Sequence, residues 1–130
     1  MNPLVLTIED QPDIRRLIRM TLEYKGYRVV EAGDGVEGLR LARHEKPALI
    51  LLDVMMPGID GLTVGRELAA DASLGAVPVI MISALGGSDD QQAGLATGVR
   101  AYLVKPFSPF QLLDLVHRLT AAAAEPEALK

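Results

Sequence analysis

Three acids, a hydroxyl and an amine stand at comparable places along this 130-residue chain. Glu9 and Asp10 follow the apolar run Leu4–Ile8, and Asp53 follows Ala48–Leu52. Ser83 follows Val77–Ile82, and Lys105, with Pro106 after it, follows Ala101–Val104. Singly, each has a plain structural reading. An Asp after such a run is most often a turn former or a helix cap, and acids ahead of a helix favour its positive end. A lone serine is a turn hydroxyl, and a lysine is solvated or paired. As a set they carry chemistry. Clustered carboxylates repel one another, so one or more resists ionisation unless a cation is present. Hard oxygen ligands in an incomplete shell suit Mg²⁺, which keeps several waters and takes only one or two carboxylates. A metal and a lysine beside a free carboxylate can offset the charge on a transferring phosphoryl group. The carboxylate can also be the nucleophile and become an aspartyl phosphate.

The set converges only if the elements around it place it. The apolar runs, with Tyr27–Val30 as the second, read as five strands, several nearly all apolar, as in a parallel sheet covered on both faces. Helix-period stretches at about 12–24, 35–45, 61–71, 89–97 and 109–122 lie between and after them. Pro12 and Pro109 suit first helical turns. Asp34 with Glu37, Ser88 with Gln91 and Ser108 with Gln111 read as capping pairs, and Gly26 and Gly98 as helix stops. In the first helix Ile14, Leu17, Ile18, Thr21 and Leu22 form one stripe, leaving Arg15, Arg16, Arg19 and Glu23 for the wet side. Five βα units in a row predict an α/β, doubly wound open sheet with five helices on its two faces. In such a sheet the ligand crevice lies beyond the carboxyl ends of the strands, where the five polar residues stand.

The bulk numbers narrow the classes. A chain of 130 residues is one domain of ordinary size. It has no cysteine, which excludes disulfides, thiol catalysis and thiolate metal sites. The net charge of −4 argues against nucleic acid as a direct partner of this domain. No apolar run approaches the length of a membrane span and no secretory signal opens the chain, so a cytoplasmic protein without membrane contact is expected. Residues 1–122 read as the domain, and the Ala-rich, then polar 123–130 as a tail or the start of a linker.

Four segments carry a resemblance: VLTIEDQPDIR, ILLDVMMPGIDGL, VIMISA and YLVKPF, in that order. Over residues 3–122 the chain resembles the response-regulator receiver domains of two-component signalling, chemotaxis regulators among them. The resemblance implies a flavodoxin-like strand order, 2-1-3-4-5. It implies Asp53 as the phosphoacceptor. Glu9, Asp10 and Asp53 would hold Mg²⁺, with the backbone carbonyl of Met55 completing the protein's share. Lys105 would contact the phosphoryl group. Ser83 would be the switch hydroxyl that swings toward it, and Tyr102 the aromatic that turns inward with Ser83. Pro106 would follow a cis peptide bond. Ala84, small and beside Ser83, would leave room for the donor or an attacking water. Pro57, Gly58, Asp60 and Gly61 would shape the loop beside Asp53 and start the next helix.

The expected function is a phosphorylation switch rather than an enzyme. A sensor histidine kinase or phosphotransfer protein would supply the phosphoryl group, docking near the first helix and the Lys105–Phe107 loop. A downstream effector would read the face made by the fourth helix, fifth strand and fifth helix. Two other classes compete. An interaction module that kept the fold without the chemistry commonly lacks members of the set that is intact here. A flavin-binding electron carrier needs a phosphate cradle after the first strand, where this chain has EDQPD.

Overall fold

The computed structural model describes residues 2–56 and 58–124, so Pro57 and residues 125–130 of the expected tail lie outside the described residues. Five strands, β1 (Leu4–Ile8), β2 (Arg28–Ala32), β3 (Leu49–Asp53), β4 (Val79–Ser83) and β5 (Ala101–Val104), alternate with five helices. These are α1 (Pro12–Tyr24), α2 (Gly35–Glu45), α3 (Gly61–Ala70), α4 (Ser88–Leu95) and α5 (Pro109–Ala124). All strand pairs are parallel and the order is β2-β1-β3-β4-β5, the flavodoxin-like arrangement.

Burial follows position in the sheet. Every residue of β3 and β4 is buried, whereas the edge strands β2 and β5 are only partly so. Alternate residues of each strand feed two apolar clusters. Leu6, Ile8, Ile50, Leu52 and Met81 pack on Val64 and Leu68 of α3 and Leu39 of α2. Val5, Leu49, Leu51, Ile80 and Ile82 pack on Ile18 and Leu22 of α1 and Leu112 and Val116 of α5. Removal of this apolar surface from water, at about 25 cal/mol per Å², is the main force holding the sheet edges in register.

Several local expectations hold and several shift. Ser108 and Gln111 make a reciprocal capping pair, the Gln111 N–H to Ser108 Oγ at 3.1 Å and the Ser108 N–H to Gln111 Oε1 at 3.0 Å. Asp34 caps α2 by accepting from the Glu37 N–H at 2.8 Å. Ser88, by contrast, is the first residue of α4. Gly87, extended at φ −67°, holds the cap position without a side-chain cap, and the Gln91 side-chain amide donates to the Gly86 carbonyl instead, at 3.0 Å. Strands β2, β3 and β4 each reach one or two residues further toward their carboxyl ends than the apolar runs do. Asp53 and Ser83 are therefore the last residues of β3 and β4, held by the ladder rather than by a turn.

The first helix differs most. Ile14, Ile18 and Leu22 face the sheet, but Leu17 is 53% exposed. It belongs to a second stripe with Met20 and Tyr24, which are also exposed. A step of 100° per residue carries position 17 off the buried face, and its apolar type does not bring it back. Arg15, expected on the wet side, turns toward β2. Among the described residues no helix is long and apolar enough to cross a membrane.

Candidate functional site

Parallel strands all end on the same edge, so residues far apart in the chain meet there. Glu9 and Asp10 leave β1, Asp53 closes β3, and Lys105 follows β5. The ladder sets Asp53 beside Ile82 and Ser83 beside Val104, one residue further along. Beyond Asp53, α3 begins very close to the strand end. The Gly61 N–H donates to the Val54 carbonyl at 2.9 Å, and a Cβ on Gly61 would lie 2.4 Å from Val54 Cα and 2.6 Å from the Asp53 carbonyl oxygen. Only glycine allows that approach. Asp60 caps the helix by accepting from the Thr63 N–H at 2.8 Å, and Gly58 takes a positive φ of 81° in the connecting loop.

The result is a buried acidic pocket. Glu9 is 1% and Asp53 3% exposed, and one carboxylate oxygen from each of Glu9, Asp10 and Asp53 lies within 4.8 Å of the others. Lys105 Nζ bridges Glu9 and Asp53, at 3.2 Å from Glu9 Oε1 and 3.4 Å from Asp53 Oδ1. The Met55 N–H points at Asp53 Oδ1 from 3.4 Å, and the Gln11 N–H at Glu9 Oε2 from 3.2 Å. One ammonium cannot neutralise three carboxylates. Burial, and then the charge of Asp53, push the Glu9 carboxyl up to about 7, against the pull of Lys105. Burial raises Asp53 as well, with Lys105 the chief opposing influence. Among the described residues Asp10 Oδ1 is buried without a hydrogen-bond partner. A buried oxygen with nothing to bind is costly, and a hard cation is a partner that such an oxygen fits. The pocket has the donor set for Mg²⁺.

The remaining predicted residues lie around this pocket in different states. Ser83 is fully buried, and its Oγ accepts from the Leu85 N–H at 3.0 Å. Tyr102 is half-buried, and its hydroxyl donates to the Leu85 carbonyl at 2.7 Å. Both hydroxyls are thus tied to the two ends of one residue. The Tyr102 ring passes over Gly94, where a Cβ would come within 2.8 Å of it. Ala84 is exposed, as is the side chain of Met55. The Lys105–Pro106 peptide is cis.

Two residues absent from the predicted set brace the turn beside the pocket from outside it. Arg15 of α1 donates from Nη1 to the Glu9 carbonyl at 2.8 Å and pairs from Nε with Glu31 Oε2 at 2.9 Å. Glu31 lies in β2 opposite Thr7. The spacing of Arg15 and Arg19, one helical turn apart, is the sequence signal for a shared acidic partner, and Arg19 does bond the same Glu31.

Comparison with known proteins agrees with this geometry. The family of response regulator receiver domains matches residues 5–117. The chain is 41% identical over 117 residues to the DNA-binding dual master transcriptional regulator RpaA of Synechocystis, a match covering 90% of this chain and 48% of that protein. The chain spans about half the length of the curated relatives it matches. Among solved structures it is similar to the Vibrio cholerae chemotaxis protein CheY4, with a TM-score of 0.86 and 31% identity, covering 92% of this chain and 99% of that one. It is equally similar to the receiver domain of the sensor histidine kinase PA1611 from Pseudomonas aeruginosa, with a magnesium ion in that protein's active-site cleft. The TM-score there is 0.86 and the identity 30%, covering 93% and 99%. The ordered parallel sheet, the buried acidic pocket at its carboxyl edge and these matches converge on one conclusion: the chain belongs to the family of response regulator receiver domains.

Proposed function

We propose that the chain is a phosphoaccepting switch that takes a phosphoryl group from a histidine kinase, or from a phosphotransfer protein, onto Asp53. The observation that carries this reading is the bridging of buried Glu9 and Asp53 by a single lysine, with Asp10 alongside and one of its oxygens unpartnered among the described residues. Glu9, Asp10, Asp53 and the Met55 carbonyl are the groups that would hold Mg²⁺, which supplies positive charge for the phosphoryl oxygens. An Asp53 carboxylate oxygen bonds to phosphorus as the bond from phosphorus to the donor nitrogen breaks, and the nitrogen keeps the electron pair. Lys105 already lies beside Asp53 and pairs with a phosphoryl oxygen. Ala84, small and exposed, leaves room for the donor.

The switch follows from the Leu85 contacts. The Ser83 hydroxyl swings toward a phosphoryl oxygen to donate to it, and that displacement carries its oxygen away from the Leu85 N–H that it accepts from at 3.0 Å, which releases the residue that also anchors Tyr102. The phosphoryl group shifts the balance only by as much as it binds the rearranged state better. The face of α4, β5 and α5 then changes its preference for an effector, while the kinase docks near α1 and the Lys105–Phe107 loop. The curated relatives are transcriptional regulators about twice this chain's length. We infer an effector that binds DNA, with residues 1–122 as a cytoplasmic receiver that touches no nucleic acid itself and 123 onward as tail or linker.

The test is intact-mass detection of a phosphoryl adduct after incubation with a small phosphodonor. A single adduct that requires Mg²⁺ and is abolished in Asp53→Asn is the expected outcome. No adduct with any donor or metal would instead make the chain an interaction module without phosphotransfer.

A further inference from the structure

Glu9 and Asp10 are adjacent in the chain, and both send a carboxylate toward Asp53. Repulsion among the three favours any movement that opens the turn between β1 and α1. The peptide that joins Glu9 to Asp10 is therefore where the pocket is most easily lost. Its carbonyl, that of Glu9, accepts from Arg15 Nη1 at 2.8 Å. The other end of the same peptide plane, the Asp10 N–H, lies in the turn, while the Glu9 N–H is fixed to the Ala32 carbonyl of β2 at 3.0 Å. The guanidinium is itself held, because Nε pairs with Glu31 of β2 at 2.9 Å. Helix α1 and strand β2 thus grip the acidic turn from outside the pocket.

We propose that Arg15, braced by Glu31, is a positioning residue that holds the Glu9–Asp10 peptide in the orientation needed to bind the divalent cation. This rests on the reading of the pocket as a Mg²⁺ site. A planar guanidinium suits the role, since it donates to two acceptors at fixed angles. The proposal also has a sign that charge alone does not produce. A cation near three acids weakens Mg²⁺ binding by repulsion, so removing the Arg15 charge would on that ground tighten it. Loss of the grip weakens it.

The experiment is calorimetric titration of the chain with MgCl₂, with thermal melts in Mg²⁺-free buffer alongside. Arg15→Ala is expected to bind Mg²⁺ about tenfold more weakly, at the low end of what outer-shell contacts to a metal site are worth. Glu31→Gln should weaken binding less, and the double variant no more than Arg15→Ala alone, since both remove one grip. Arg15→Lys keeps the charge but has a single donor nitrogen in place of the planar fork, and should fall between wild type and Arg15→Ala. Arg19→Ala removes an equal charge from the same Glu31 but not the carbonyl contact, and should bind at least as tightly as wild type. Equal or tighter binding by Arg15→Ala would overturn the proposal. If that variant has no cooperative melt, Arg15→Lys and Glu31→Gln decide by the same criterion. A wild type that binds no Mg²⁺ would overturn the reading of the pocket and this inference with it, whereas wild-type binding unaffected by these variants would overturn the inference alone.

Discussion

Two charge clusters share the first turn of this molecule and behave in opposite ways. Around Glu31, two guanidiniums from α1 meet one carboxylate at the half-exposed edge of the sheet, with Glu23 accepting from Arg19 at 3.1 Å outside. Burial pushes Glu31 up, but the hydrogen bonds from Arg19 and Arg15 outweigh it and leave the carboxyl below its ordinary range. Around Asp53, one ammonium meets three carboxylates in a buried pocket, and both Glu9 and Asp53 are raised. Glu9 belongs to both clusters, through its carbonyl to the first and its carboxylate to the second. The first cluster is complete as it stands and needs nothing from outside. The second is short of positive charge, and that deficit is what makes it a candidate cation site. Here the balanced cluster braces the turn, and the unbalanced buried one is the candidate for binding and chemistry.

The sharpest way to break this contrast is Lys105→Met. It leaves Glu9 and Asp53 buried with no cation, and at pH 8 without Mg²⁺ it should cost about 3–5 kcal/mol in urea unfolding. At pH 5 the loss should shrink as Glu9 takes up a proton. An equal loss at both pH values would show that packing, not charge, is the cause.

The wild type should show the same imbalance through pH. The folded Glu9 carboxyl rises from 4.5 to about 7, so between those values the native state binds more protons than the unfolded chain. Stability therefore falls as pH rises through that window and levels off above it, by about 3 kcal/mol from Glu9. Saturating Mg²⁺ should flatten the curve, because it competes with the proton for the pocket carboxylates of the folded state and so stabilises more as pH rises. A curve that keeps its slope in Mg²⁺ would count against the pocket as the source.

Asp53→Asn should act in the opposite sense to the lysine variant. Without Mg²⁺ at pH 8 it removes a destabilised charge and should raise stability by about 1–2 kcal/mol, the ordinary scale of a single buried substitution, while abolishing the phosphoryl adduct. Smallest of all, Arg19→Ala in the balanced cluster should cost less than about 1 kcal/mol, as surface pairs do. A larger cost would mean that the two clusters differ less than their burial suggests.

Much of the pocket is legible in one dimension because of how parallel sheets are built. Glu9 and Lys105 are 96 residues apart, yet each stands where an apolar run stops. A run that stops is a strand that ends, and in a doubly wound sheet all strands end on one edge. Convergence can thus be read without coordinates. Arg15 and Glu31 are not legible in the same way. The apolar run of β2 stops at Val30, but its ladder continues to Ala32 beside Ile8, which brings Glu31 into the strand. Helical period predicts that Arg15 leaves the buried stripe. It does not say which flank it leaves by, and only the seating of α1 between β1 and β2 sends it to Glu31. Leu17 leaves by the other flank for the same reason, despite its apolar side chain.

Residue type and spacing by themselves therefore determined the five alternating units, the covered sheet and the set of polar residues brought to its carboxyl edge, since these depend on patterns local to each element. The tertiary structure alone decided how the charges balance. Which acids stay bare and which are neutralised depends on ladder register, on helix rotation and on distances of a few ångströms between segments far apart in the chain. Coulomb energies inside a protein vary steeply over such distances.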